Sequence, residues 1–172
     1  MMEVRSLTLD VSPSAGKVSA EYMIPPDAAS IVTLAHGAGA GMNHSFMVSL
    51  AKALAAVNIA SLRFNFPFLE NKKGRPDVPA VAHKAIEAAS AEAKRSYPTL
   101  ALYLSGKSFG GRMSSQYLAA NTDTAVKGII FFGFPLHPAG KPGIERADHA
   151  FKAGKKDIIP VLAEEAHRWI KK

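Results

Sequence analysis

The feature that most constrains this chain is a glycine-containing turn between an apolar segment and a helical pattern. The segment Leu100–Ser105 predicts a buried strand, and the segment Gly111–Ala120 predicts a helix. Between them stands Gly106-Lys107-Ser108-Phe109-Gly110, a G-x-S-x-G pattern. In this setting the two glycines let the strand and helix backbones approach closely, and the serine is held in a strained conformation that exposes its hydroxyl. The pattern therefore predicts Ser108 as a nucleophile.

Strands and helices are predicted to alternate on both sides of this turn. Apolar strands are expected at Ile31–Ala35, Ile59–Phe64 and Val126–Phe132, after an N-terminal hairpin formed by Val4–Asp10 and Lys17–Ile24. Helices are expected after an N-cap at Ser45, over Val81–Tyr97 and over Asp157–Ile170, whereas Asn65–Pro79 is predicted to be a flexible loop. This alternation predicts a mainly parallel sheet with helices on both faces.

Composition and charge argue against several classes of binding site and partner. The chain of 172 residues has no cysteine, which excludes disulfide bonds and thiolate zinc sites, and no other metal or cofactor is predicted. The net charge of +7 comes from scattered basic residues without interleaved aromatic side chains, which disfavours a nucleic-acid partner. No apolar run reaches the ~20 residues of a membrane span, and no signal-peptide pattern opens the sequence. We expect one domain over residues 1–172 and a cytoplasmic protein.

A second glycine-rich segment, His36–Met42, follows the strand predicted at Ile31–Ala35. Acyl transfer at a serine needs two N–H donors for the oxyanion, and the residue after the nucleophile supplies the first. Here that residue is Phe109. Small residues let a second backbone N–H approach the reacting carbonyl, so we expect the second donor at Ala38, with Gly39 as the alternative.

Two other glycine motifs fit the sequence less well. The spacing Gly37-x-Gly39-x-Gly41 is not that of a dinucleotide-binding loop, and no acidic residue ends the next strand. Gly106-Lys107-Ser108 matches the end of a phosphate-binding loop, but the first glycine of that motif would fall at Ala101, inside the strand. Nucleotide binding is therefore disfavoured.

The nucleophile needs a histidine base, and six histidines are candidates. In sheet hydrolases of this kind the chain order is serine, acid, histidine. His149 follows the last clear strand and precedes the final predicted helix, so it is selected as the base. His44, His83 and His167 lie on or beside helices and are interpreted as surface residues.

Five motifs together resemble a known group of proteins. They occur in the order His36–Met42, Arg63–Pro67, Gly106–Arg112, Pro135–Pro142 and Asp148–Phe151. The chain resembles a small branch of the α/β-hydrolases that is related to dienelactone hydrolase and to the hydrolase-like region of NSL-complex subunit 3. The resemblance implies a three-layer α/β-hydrolase-like sandwich, with Ser108 as nucleophile and His149 as base. It implies no particular substrate.

The sequence departs from this family before the histidine. Phe134–His149 is 16 residues long, too short for the two strands and two crossovers that such hydrolases place there. We therefore expect an internal deletion, a sheet that lacks its last two strands, and loss of the usual acid. Glu145 and Asp148 are the remaining candidates for that acid, although neighbours in sequence rarely orient one another, which disfavours Asp148.

Two functional hypotheses follow. The first is a serine-dependent hydrolase of a small ester or related acyl substrate. The second is a catalytically impaired hydrolase fold with a binding or assembly role, supported by the missing acid strand. The deletion should also leave a sheet edge exposed beside Val126–Phe132, through which a homodimer could form. A truncated product without selected function is a third interpretation.

Overall fold

The structure is a computed structural model that describes residues 1–122, 125–133, 152–153, 156–157 and 159–171. The strands are β1 (Glu3–Ser12), β2 (Gly16–Ile24), β3 (Ser30–Ala35), β4 (Ile59–Phe64), β5 (Ala101–Gly106), β6 (Val126–Phe131), β7 (Lys152–Ala153) and β8 (Lys156–Asp157). The helices are α1 (Ser45–Ala56), α2 (Pro67–Glu70), α3 (Pro79–Ser96), α4 (Phe109–Ala120) and α5 (Ile159–Ile170).

The first six strands form one mixed sheet in the order β1-β2-β4-β3-β5-β6. β1 and β2 form an antiparallel hairpin, and β2 also runs antiparallel to β4. The pairs β3–β4, β3–β5 and β5–β6 are parallel. The predicted combination of an N-terminal hairpin and parallel central strands is therefore confirmed.

Helices cover the two faces of this sheet, as expected for strands that are apolar on both sides. In β3, Ile31 and Ala35 belong to the core layer that also contains side chains of α3 and α4. Val32 and Leu34 point the other way and belong to the layer formed with α1 and α5. The result is the three-layer α/β-hydrolase-like arrangement that the sequence predicts.

Several boundaries differ from the sequence prediction. The N-cap of α1 is His44, not Ser45, because the His44 side chain accepts the Phe46 N–H at 3.3 Å. The segment Asn65–Pro79 is not simply a polar loop. It contains α2, and two of its phenylalanines, Phe66 and Phe68, are fully buried. Burial of these rings anchors the first part of the segment to the core.

Within the described part of the chain, β6 is the last strand of the six-stranded sheet. Residues 134–151, which carry the predicted deletion, lie outside the described residues. The loss of two strands and a homodimer through the β6 edge therefore stay predictions. The two-residue strands β7 and β8 pair with each other in a region where the sequence predicts no strand.

Candidate active site

The predicted nucleophile lies between the end of β5 and the first residue of α4. Ser108 has φ 51° and ψ −110°, a left-handed conformation that costs an L-residue energy. Three backbone hydrogen bonds hold it there. The Lys107 N–H donates to the Ala35 carbonyl at 3.0 Å, the Ser108 N–H to the Gly133 carbonyl at 2.8 Å, and the Arg112 N–H to the Ser108 carbonyl at 3.0 Å. The turn is therefore hydrogen bonded to β3 on one side and to the residues just after β6 on the other.

The two glycines of the turn are required by close backbone contact. A Cβ at Gly106 would lie 2.4 Å from the Gly111 nitrogen, and a Cβ at Gly110 would lie 2.3 Å from the Ala35 carbonyl oxygen. Both neighbours are main-chain atoms of packed elements, which cannot move aside. This geometry is what the G-x-S-x-G pattern predicts, and it leaves the Ser108 hydroxyl without a hydrogen-bond partner among the described residues.

The segment His36–Met42, called here the glycine loop, passes beside Ser108. A Cβ at Gly37 would lie 3.9 Å from the Ser108 Cβ, so the two backbones are in van der Waals range. In the described part of the chain, the N–H groups of Phe109, Ala38 and Gly39 donate to no protein acceptor. Three uncommitted donors thus lie near the predicted nucleophile, which is the composition that an oxyanion hole requires.

A pocket of about 330 Å³ opens at this point. Its described lining consists of Gly37, Ala38, Gly39, Ala40, His44, Met47, Lys107 and Ser108. Among the described residues, the lining includes two basic side chains, those of His44 and Lys107, and no carboxylate. Lys107 places its Nζ 4.3 Å from the centre of the Phe46 ring, a cation–π contact. His44, which is predicted to be a surface residue, is indeed exposed, but it also contributes to the pocket.

His36 is fully buried and is not a free base. Its Nε2 accepts the Phe66 N–H at 2.9 Å, which leaves Nδ1 protonated to donate to the Gly37 carbonyl at 2.7 Å. Burial lowers the pKa of His36 to about 4, although the bond to Gly37 opposes the shift. Both nitrogens are thus used to hold the start of the glycine loop.

An aromatic cluster lies beneath the site and connects its two sides. The Phe109 ring contacts the rings of Phe66 and Phe68 with centroids 5.2 and 5.8 Å apart. The same two phenylalanines contact the imidazole of His36 at 5.0 and 5.7 Å. Phe109 begins α4 and His36 begins the glycine loop, so one cluster anchors both sources of candidate oxyanion donors. The motif Arg63–Pro67 contains Phe66, but nothing in the sequence predicts that Phe66 and Phe68 pack together under the site, because both fall in the segment predicted to be a loop.

The other predicted site residues are not described. His149 and the two candidates for the acid, Glu145 and Asp148, lie outside the described residues, so their roles stay predictions. Gly133, the last described residue before this part of the sequence, does lie at the site, since its carbonyl accepts the Ser108 N–H.

The described residues contain neither a cluster of metal-ligating side chains nor a membrane-spanning helix. No group of three histidine, aspartate or glutamate side chains comes together there in a way that could hold a metal ion. In the same residues, no helix combines the length and the apolar character needed to cross a bilayer.

Comparison with known proteins shows which family has this fold. A model of the alpha/beta hydrolase domain matches residues 28–161. XC6422 from Xanthomonas campestris, an α/β serine hydrolase without a lid, is 26% identical with a TM-score of 0.61, over 75% of this chain and 60% of that one. This chain therefore spans about 60% of the length of XC6422. No curated protein sequence matches the chain.

More distant structures show the same fold. A dienelactone hydrolase from Anabaena variabilis is 15% identical, with a TM-score of 0.68 over 99% of this chain and 97% of that one. A cold-adapted esterase from an Arctic intertidal metagenomic library is 18% identical, with a TM-score of 0.60 over 76% and 60% of the two chains. The family match covers more than half of the sequence and agrees with the sheet order and the serine turn, so the chain belongs to the α/β hydrolase family.

Proposed function

We propose that this chain is a serine hydrolase of small esters. The observation that carries the proposal is the Ser108 turn, in which a strained serine at the end of a parallel strand lines the same pocket as Ala38 and Gly39, whose N–H groups donate to no acceptor among the described residues. Backbone strain at a single serine is expected where the fold must present a nucleophile, and it has no evident structural use here. The description of XC6422 as a serine hydrolase supports the same chemistry.

In the proposed reaction the Ser108 hydroxyl attacks the ester carbonyl carbon, and His149 accepts its proton. The N–H groups of Phe109 and Ala38, or Gly39 in place of Ala38, stabilise the oxyanion of the tetrahedral intermediate. Collapse of that intermediate breaks the ester bond, and His149 returns the proton to the leaving alcohol. Water then attacks the acyl-enzyme with the same base, which releases the acid and restores the serine. Glu145, or else Asp148, would orient the histidine.

The proposed substrate is small. The described pocket of about 330 Å³ is lined near Ser108 by glycine, alanine and one methionine, which leaves room for a short acyl chain. No cofactor is part of the proposal. The cytoplasmic location and the absence of nucleic-acid or membrane partners remain predictions from the sequence.

The test is labelling with a fluorophosphonate probe, which reacts with activated serines. We expect the wild-type chain to be labelled at one site and Ser108→Ala to remain unlabelled. Ser114→Ala is the matched control, because Ser114 is buried in α4 and its hydroxyl has no hydrogen-bond partner in the described structure. His149→Ala should lower the labelling rate by several orders of magnitude.

A chain-length series of p-nitrophenyl esters then tests the substrate class. Acetate and butyrate esters should be hydrolysed faster than decanoate esters. A folded wild-type protein that is neither labelled nor active on any of these esters would contradict the proposal and favour the catalytically impaired alternative.

A further inference from the structure

The far end of the glycine loop is held on both sides of one residue. The Met42 N–H donates to Asn65 Oδ1 at 2.9 Å, and the Met42 carbonyl accepts from Arg63 Nη1 at 2.8 Å. Both partners come from the end of β4 and the residue that follows it. Arg63 is itself buried and is ion-paired with Glu21 of β2. The loop therefore does not end freely in solvent but is attached to the sheet.

The orientation of the Asn65 amide is fixed by a carboxylate. Asn65 Nδ2 donates to Glu70 Oε2 at 2.9 Å, and an ionised carboxylate can only accept. The amide oxygen must then face Met42, because the amide nitrogen faces Glu70. Glu70 is held in turn by Ser19, whose hydroxyl donates at 2.8 Å and whose N–H donates at 3.2 Å. Burial works to raise the pKa of Glu70, but the hydrogen bonds from Asn65 and Ser19 outweigh it and keep that pKa below its ordinary value.

The loop is also in direct contact with this amide. A Cβ at Gly41 would lie 2.7 Å from Asn65 Oδ1, so the loop backbone packs against Asn65 with no space between them. The Asn65 N–H donates to the Ser19 carbonyl at 2.9 Å, which attaches the asparagine to β2 as well. At the other end of the loop, His36 is fixed by the N–H of Phe66, the residue next to Asn65.

We propose that Asn65 is a positioning residue for the oxyanion hole, which holds Met42 so that the N–H of Ala38 or Gly39 stays directed at the reacting carbonyl. The inference rests on the proposed function. Asn65 is not among the residues that line the pocket, so it acts on the reaction only through the loop. Loss of one oxyanion donor costs about 10²- to 10³-fold in kcat, and misplacement of a donor costs up to ~10²-fold. We expect Asn65→Ala to lower kcat about 10- to 100-fold and to change KM by less than about 2-fold, since the donor acts mainly in the transition state.

An exchange of groups between positions 65 and 70 separates positioning from folding. Asn65→Asp keeps the acceptor for Met42 but places two carboxylates against each other, so kcat should fall. Adding Glu70→Gln to that variant removes the second carboxylate and supplies an amide donor for the new carboxylate at position 65. Because the Ser19 N–H also donates to Glu70 Oε2, that bond is lost when an amide nitrogen takes the place of this oxygen, so kcat should rise above that of Asn65→Asp without reaching wild type. Asn71→Ala is the matched control, since Asn71 directly follows α2 and its amide donates to the Pro67 carbonyl, with no hydrogen bond to the glycine loop among the described residues.

Two measurements decide the result: kcat and KM on p-nitrophenyl acetate, and hydrogen exchange of the Met42 amide. We expect faster exchange in Asn65→Ala and Asn65→Asp, and partial recovery in the exchanged pair. Faster exchange with unchanged kcat would overturn the positioning role, and unchanged exchange would overturn the attachment itself. If Asn65→Ala does not fold, the comparison of Asn65→Asp with the exchanged pair decides. A wild type without esterase activity or probe labelling would overturn the proposed function, and the Met42 exchange would still show whether Asn65 holds the loop.

Discussion

The serine turn and the glycine loop lie side by side, yet they are fixed by different kinds of contact. The turn is held by main-chain atoms: the Lys107 N–H bonds to a carbonyl of β3, the Ser108 N–H bonds to the Gly133 carbonyl just after β6, and Gly106 and Gly110 pack directly against backbone. The glycine loop is held through side chains: its own His36 accepts the Phe66 N–H, and Arg63 and Asn65 bond to Met42.

This difference has a physical consequence. A main-chain contact between packed elements leaves no room for an added atom, since neither partner can rotate away. A side-chain contact can yield, because the far end of the side chain can move or be replaced. A substitution that adds an atom in the turn should therefore cause a large loss in the free energy of unfolding. Substitutions at the contacts of the loop should cause smaller, graded losses.

The largest effect is expected for Gly110→Ala. The new methyl group would lie 2.3 Å from the Ala35 oxygen and 2.5 Å from the Ala35 carbonyl carbon, so α4 would have to leave β3. We expect the free energy of unfolding to fall by about 3 kcal/mol or more in urea denaturation. Gly39→Ala is the control, because nothing lies within 4 Å of a Cβ at that position. A loss below about 1 kcal/mol for Gly110→Ala would show that the turn can yield after all.

The next largest effect is expected on the pH dependence of stability, through His36 at the start of the glycine loop. Burial lowers the pKa of His36 to about 4 from its ordinary value of 6.5, so the unfolded chain binds the proton first as the pH falls. This contribution to stability is complete above pH 6.5, decreases as the pH falls toward 4, and changes no further below that. The full loss is up to about 3 kcal/mol, at ~1.4 kcal/mol for each unit of pKa.

Urea denaturation between pH 7 and pH 4 measures this loss. Other groups titrate in the same range, so the quantity of interest is the difference in pH dependence between the wild type and His36→Asn, which cannot take up the proton. His44→Asn, at an exposed position, is the control. Equal pH dependence in wild type and His36→Asn would mean that His36 is not buried in its neutral form.

The same contrast explains how far the sequence predicted the structure. Ser108, Gly106 and Gly110 were predicted correctly as a turn because strand, turn and helix are adjacent in sequence and their backbone contacts follow from local geometry. The strands and their alternation with helices were predictable for the same reason, from periodicity within short segments.

The support of the loop was not predictable in this way. Asn65 bonds to Met42, 23 residues away, and Phe66 bonds to His36, 30 residues away. Such contacts depend on which strands become neighbours in the sheet. The segment after β4 was therefore interpreted as a flexible loop, although it holds both ends of the glycine loop. The base at His149 and the acid were inferred from chain order and resemblance, and they stay predictions.

A smaller effect is expected for Gly41→Ala, which tests the contact between loop and side chain. The new methyl group would lie 2.7 Å from Asn65 Oδ1, but the amide can rotate away at the expense of its hydrogen bonds. We expect a loss of about 1 to 2 kcal/mol in the free energy of unfolding, together with faster hydrogen exchange at Met42. A loss as large as that of Gly110→Ala would contradict the distinction between the two regions.

The smallest effect is expected to be a gain, for Ser108→Gly. Ser108 adopts φ 51° and ψ −110°, where glycine is unstrained, so the substitution should release ~1 to 3 kcal/mol of strain. Part of this is offset by the greater freedom of glycine in the unfolded chain, about 0.5 to 1 kcal/mol. We therefore expect a net increase of about 1 kcal/mol in the free energy of unfolding, with probe labelling abolished. Asn58→Gly is the control, because Asn58 also has positive φ, 60°, yet asparagine tolerates that conformation well, and its change should be near zero. Loss of stability in Ser108→Gly would mean that the serine is held in place by its side chain, and the view of the turn as a backbone-fixed, strained mount for a nucleophile would then be wrong.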